Sequence, residues 1–97
     1  MTTAVVDARA EAKHPSVATL SSGRPFVVFD GPTPEGGRAL YARFERHGGL
    51  QPAVRFTTAN SASRGIPARW GRNGVLIAWQ EVDEFGPRIA LDAWKGL

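Results

Sequence analysis

Apolar residues in this chain fall in short runs rather than at helical spacing. Phe26-Val27-Val28-Phe29 and Val75-Leu76-Ile77-Ala78-Trp79 are apolar at every position, and Gly, Pro, Asn, Asp and Ser cluster between such runs. Runs of β-branched and aromatic residues bounded by turn residues predict strands, and a continuously apolar strand predicts burial on both faces between neighbouring sheets. The pattern predicts strands over residues 17–20, 26–29, 40–44 and 54–57, then over 66–70, 75–79 and 89–94. Residues 38–47 are rich in good helix formers. Their counterpart 88–94 is too short and aromatic for a stable helix, so both stretches are assigned as strand.

The counterparts exist because a shift of 50 residues brings the two halves into register. Phe29 then falls on Trp79, Gly36 on Gly86, Arg38 on Arg88, Phe44 on Trp94 and Ala18 on Ala68. Each half reads as a unit of four antiparallel strands, residues 14–60 forming the first and 61–97 the second, which stops short of its outer strand. Residues 1–13 hold that missing strand, at Val5-Val6, and an irregular connection. Recurrence of a four-stranded unit at this period is the mark of a propeller blade, and two blades cannot close a ring. The chain is therefore expected to be a single all-β domain of two blades, completed to a β-propeller by cyclic association with itself. Three chains, giving six blades, are favoured over four. The alternative is a small β-sandwich or barrel within one chain.

Composition narrows the chemistry. The chain has 97 residues and no cysteine, so disulfides and cysteine-held zinc cannot staple it, and oligomerisation remains the available support. Its net charge of +3 arises from 12 Lys and Arg against 9 Asp and Glu, scattered along the chain. Without a basic cluster or a recognition helix, the arginines at 64, 69 and 72 argue only weakly for nucleic acid. The first residues show no basic stretch followed by an apolar run, and no segment has the length of a membrane span, so a soluble, cytoplasmic product is expected. His14 and His47 lie in different predicted turns, and neither a metal nor a cofactor is expected.

The stretch His14-Pro15-Ser16-Val17-Ala18-Thr19-Leu20-Ser21-Ser22-Gly23-Arg24-Pro25-Phe26-Val27-Val28-Phe29, with Gly65-Ile66-Pro67-Ala68 leading to Gly74-Val75-Leu76-Ile77-Ala78-Trp79, resembles blades of the sialidase-like propeller families. Those families often carry an Asp-box turn after the third strand, where this chain has Phe44-Glu45-Arg46-His47-Gly48-Gly49. In size and layout the chain is similar to small lectins whose two-blade chains oligomerise into a propeller. That resemblance implies carbohydrate binding, with a structural or protein-interaction ring as the alternative.

In a propeller, the loops after the second strand and before the first emerge on one face. That placement gathers Asp30, Glu81, Asp83, Arg38, Arg64 and Arg88 as candidate ligand-binding residues. Carboxylates and guanidinium groups take sugar hydroxyls, while an aromatic face covers the apolar side of the ring. Trp70, replaced by Leu20 in the first half, is the aromatic candidate, whereas Trp79 and Trp94 are expected in the core. A sialidase-type hydrolase would need an arginine cluster and an activated nucleophile, and Tyr41 becomes Leu91 in the second half. No catalytic residue is assigned, and the chain is expected not to be an enzyme.

Overall fold

The computed structural model describes residues 11–46 and 48–95. Eight strands follow one another: β1 (Lys13–Thr19), β2 (Pro25–Pro32), β3 (Arg38–Arg46), β4 (Gly49–Leu50), β5 (Val54–Arg55), β6 (Ser63–Trp70), β7 (Gly74–Asp83) and β8 (Gly86–Lys95). They form two antiparallel sheets, β1-β2-β3 with both β4 and β5 added along β3, and β6-β7-β8. The sheets face one another and do not close into a barrel. The described residues contain no helix, and so none long and apolar enough to cross a membrane.

Every run predicted as a strand within the described residues is one, but the boundaries differ. The strand expected over 54–57 shortens to β5, β4 is additional, and Leu20 turns out of β1. Asp30-Gly31-Pro32 and Gln80-Glu81-Val82-Asp83, expected in loops, extend β2 and β7. Likewise His14-Pro15, read from sequence as a turn, lies inside β1. Polar residues end a strand in a sequence reading, whereas in the folded chain their partners on the adjoining strand and sheet keep them in the ladder. The outer strand expected at Val5-Val6 lies outside the described residues.

The core lies between the sheets. Phe26, Val28, Leu40, Ala42 and Phe44 from the first sheet meet Ala62, Val75, Ile77 and Trp79. Phe26 stacks on Phe44 at 5.7 Å, and Trp94 meets both edge-on at 5.6 and 5.4 Å. Phe56 stacks on Trp94 and meets Trp79 edge-on, which ties the connection before β6 into the same cluster. β6 comes very close to the first sheet at Gly65, where an added Cβ would stand 2.7 Å from Val28 Cγ1 and 3.0 Å from Leu40 Cδ1.

The two halves repeat in three dimensions. Lys13 pairs with Asp30 and Ser16 with Val28 across β1-β2; Ser63 pairs with Gln80 and Ile66 with Ala78 across β6-β7. Both pairs carry a bulge, and in both a non-glycine residue of the bulge is left-handed, His14 at φ 54° and Arg64 at φ 57°. Such a conformation costs a non-glycine residue about 1–2 kcal/mol, so its recurrence 50 positions on marks a shared device. The third strands do not keep that offset. Val28 faces Ala42 but Ala78 faces Leu91, and Phe26 faces Phe44 but Leu76 faces Ala93. The offset there is 49, because the β7-β8 hairpin is one residue shorter. Phe44 therefore corresponds to Ala93 rather than Trp94, and Arg38 to Pro87 rather than Arg88.

Candidate functional site

Asp30 lies on the β2 face that carries Phe26 and Val28, and it is 0 % exposed. A buried carboxylate needs its lone pairs filled, and four donors surround this one. His14 Nδ1 lies 2.7 Å from Oδ2, and the backbone N–H of Arg64 donates to the same oxygen at 2.9 Å. Arg38 donates to Oδ1 through Nε at 2.9 Å and also through Nη2. Arg38 Nη2 further donates to the carbonyl of Glu11 at 2.8 Å. Burial pushes the Asp30 pKa up, but the Arg64 N–H, the Arg38 guanidinium and His14 together hold it below the ordinary carboxylate value. The left-handed bulge at Arg64 turns that N–H toward the first sheet, so one side chain clamps the two sheets together.

A second network lies on the inner face of β7. Trp79 Nε1 donates to Glu81 Oε1 at 2.7 Å, and Arg88 donates to Oε2 through Nε at 2.8 Å and Nη2 at 2.6 Å. Arg88 Nη1 also lies 3.4 Å from Asp83 Oδ2. The Trp79 indole N–H, against the opposing effect of burial and with the help of Arg88, holds the Glu81 carboxyl below its ordinary pKa. Glu81 is buried while Arg88 is half exposed, so the guanidinium is anchored at one edge and open at the other. A groove of about 500 Å³ runs past this network, lined by Thr57, Thr58, Trp79, Glu81, Arg88 and Asp92 among others.

Trp70 stands apart, at the end of β6, 43 % exposed and with Lys95 Nζ 5.2 Å from its ring centroid. The seven residues proposed from sequence therefore divide three ways. Asp30, Arg38 and Arg64 meet in the buried clamp, Arg64 through its backbone; Glu81 and Arg88 line the groove, with Asp83 beside Arg88; Trp70 joins neither.

The outer face of β6-β7-β8 presents a different surface. Ile66, Ala78 and Leu91 lie in one row across the three strands, and Gln80 with Ile89 in the next. Ile66 is 65 %, Leu91 65 % and Ile89 72 % exposed. No charged side chain interrupts these two rows on β7 and β8. A groove of about 400 Å³ runs along this face to β1, lined by His14, Ser16, Ile66, Ala78, Gln80 and Ile89 among others, with Arg64 of β6 at its side.

No protein-family model, curated protein or solved structure matches this chain. Sequence reasoning passed over His14 and Gln80. His14 could have been found from the shared bulge position with Arg64, and Gln80 from its alignment with Asp30.

Proposed function

We propose that the chain is a self-assembling interaction module, a two-blade unit that joins copies of itself into a propeller-like ring serving as a scaffold. The observation that carries this reading is the open apolar face of β6-β7-β8. Ile66, Ile89 and Leu91 are largely exposed there, and proteins acting as lone monomers keep large contiguous apolar patches covered. The chain has no cysteine to staple so small a domain, which makes burial against a copy the remaining source of support. The outer edge of β8 carries no further strand among the described residues, whereas the matching edge of β3 carries β4 and β5. A bare edge of this kind favours pairing with another chain. Absolute mass by light scattering after size exclusion tests the reading. A narrow peak at three or four protomer masses is expected; a protomer mass at micromolar concentration refutes it.

A second reading, carbohydrate binding, is favoured by the groove beside Trp79, where Glu81, Arg88 and Asp92 offer charged hydrogen-bonding groups at the edge of an aromatic ring. Sugars use this combination. Titration calorimetry after a glycan screen tests it, and Arg88→Ala is expected to abolish any binding found while leaving the solution mass unchanged.

A further inference from the structure

The two halves of the chain already display one complete interface, in which the first sheet lays one face on the second. The first sheet contributes Val28, Asp30, Leu40 and Ala42, and all four are fully buried. The second contributes the bulge, with Gly65 against Val28 and Leu40, and the Arg64 N–H on Asp30. Moved along by the repeat, the same positions fall on the outer face of the second sheet, which is open in one copy, and on the back face of the first, which is open along β1 at Pro15 and Val17 and already buried further in at Phe29, Ala39 and Tyr41. Val28, Asp30, Leu40 and Ala42 correspond to Ala78, Gln80, Ile89 and Leu91 on the outer face of the second sheet. Arg64, Gly65 and Pro67 correspond to His14, Pro15 and Val17 on the back face of the first sheet. Pro67 is buried, while Val17 is 62 % exposed.

Resting on the self-assembly reading, we propose that copies join head to tail, the outer face of the second sheet in one copy covering the exposed β1 side of the back face of the first sheet in the next. The contact reproduces the one between the sheets of a single chain. Three features favour this partner. The volumes complement: Gly65 meets Val28 and Leu40 within the chain, and in the proposed contact Pro15 faces Ala78 and Ile89, so the added bulk of Pro over Gly is offset by that of Val over Ala, while Ile89 matches Leu40 in size. The polar contact has a counterpart: Gln80 stands where Asp30 stands, and its amide oxygen accepts from the left-handed bulge N–H of His14 in the next copy. The electrostatics also agree. Asp30 balances the Arg38 charge within the chain, whereas Pro87 occupies Arg38's place in the second half and neutral Gln80 suffices; the arginine that lines the groove, Arg64, is itself exposed. Because the two surfaces differ, the contact is heterologous and propagates with one sense of rotation, which closes into a ring or continues as a filament.

Two charge substitutions on the two surfaces test this, each at an exposed position so that no charge enters the core of one copy. Light scattering is read for the wild type, for Val17→Asp, for Ile89→Asp and for an equimolar mixture of the variants, with thermal melts by circular dichroism to verify the fold. Each variant alone is expected to fall to the protomer mass. The mixture is expected to recover twice that mass, since the Val17→Asp copy keeps an intact outer face and the Ile89→Asp copy an intact back face. If Val17→Asp keeps the wild-type mass while Ile89→Asp does not, the outer face packs on itself about a two-fold axis; the head-to-tail inference is then overturned and self-assembly survives. Both variants at wild-type mass, or a mixture that stays at the protomer mass, also overturn it. A wild-type chain of protomer mass removes the self-assembly reading and this inference together.

Discussion

With no exposed surface, the Asp30 carboxylate depends on His14, Arg38 and the Arg64 N–H for all of its solvation. Asp30→Asn puts an amide NH₂ among donors and leaves Arg38 without its counter-charge, so a loss of about 3–5 kcal/mol in urea-unfolding free energy is expected. The same geometry sets a pH dependence. The folded-state pKa of Asp30 lies below its unfolded value of about 3.9. Its contribution is therefore complete above that value and is lost as pH falls through the depressed folded value. Glu81, also depressed, adds in the same sense. Unfolding midpoints measured between pH 6 and 2 are expected to fall most steeply below about pH 4, and less steeply in Asp30→Asn. Arg64 serves the clamp through its backbone, so Arg64→Gly keeps the N–H and suits a φ of 57°. That substitution is expected to change stability by less than about 1 kcal/mol.

Strand by strand, a tight constraint between the sheets lies where β6 crosses the first sheet. A Cβ on Gly65 would lie 2.7 Å from Val28 Cγ1, closer than real contacts allow, and Val28 and Leu40 are themselves fully buried. Gly65→Ala is expected to cost about 1–3 kcal/mol in the same urea experiment, and Gly65→Ala combined with Val28→Ala to recover part of it. The β7-β8 hairpin shows how a single residue redirects an entire strand. Being one residue shorter than the β2-β3 hairpin, it turns Trp94 to the inner face, where it meets Phe44 from the opposite side at 5.4 Å. Side chains alternate along a strand, so a shift of one exchanges the two faces. Trp94→Ala is expected to cost about 3 kcal/mol and to leave the tryptophan fluorescence dominated by Trp70 and the buried Trp79.

At the scale of the whole molecule, one contact surface is satisfied within the chain, while of its two repeat-related surfaces the outer face of the second sheet stands open and the back face of the first is open along β1. Burial of Ile66, Ile89 and Leu91 against a copy would add stability that a single chain lacks. Thermal midpoints are accordingly expected to rise with protein concentration, and to do so only in variants that keep the oligomeric mass. Much of this was legible in the sequence. The apolar runs at 26–29 and 75–79 placed the central strands, the turn residues between runs separated them, and the shift of 50 residues revealed the duplication. Those features are local, set by chain stiffness, side-chain shape and spacing. Which side of a strand becomes core is not local, because it depends on the count of residues in each hairpin and on what lies across the sheet. Asp30 looked like a loop carboxylate because ionised groups avoid burial, and only the convergence of β1, β3 and β6 on it supplies the donors that allow it. Trp94 looked equivalent to Phe44 because aligned letters carry no strand register. The sequence by itself therefore determined the strands and their repetition. The tertiary structure alone decided which faces pair, which charges are buried, and which apolar surface is left for a partner, since each of these is fixed by residues far apart along the chain.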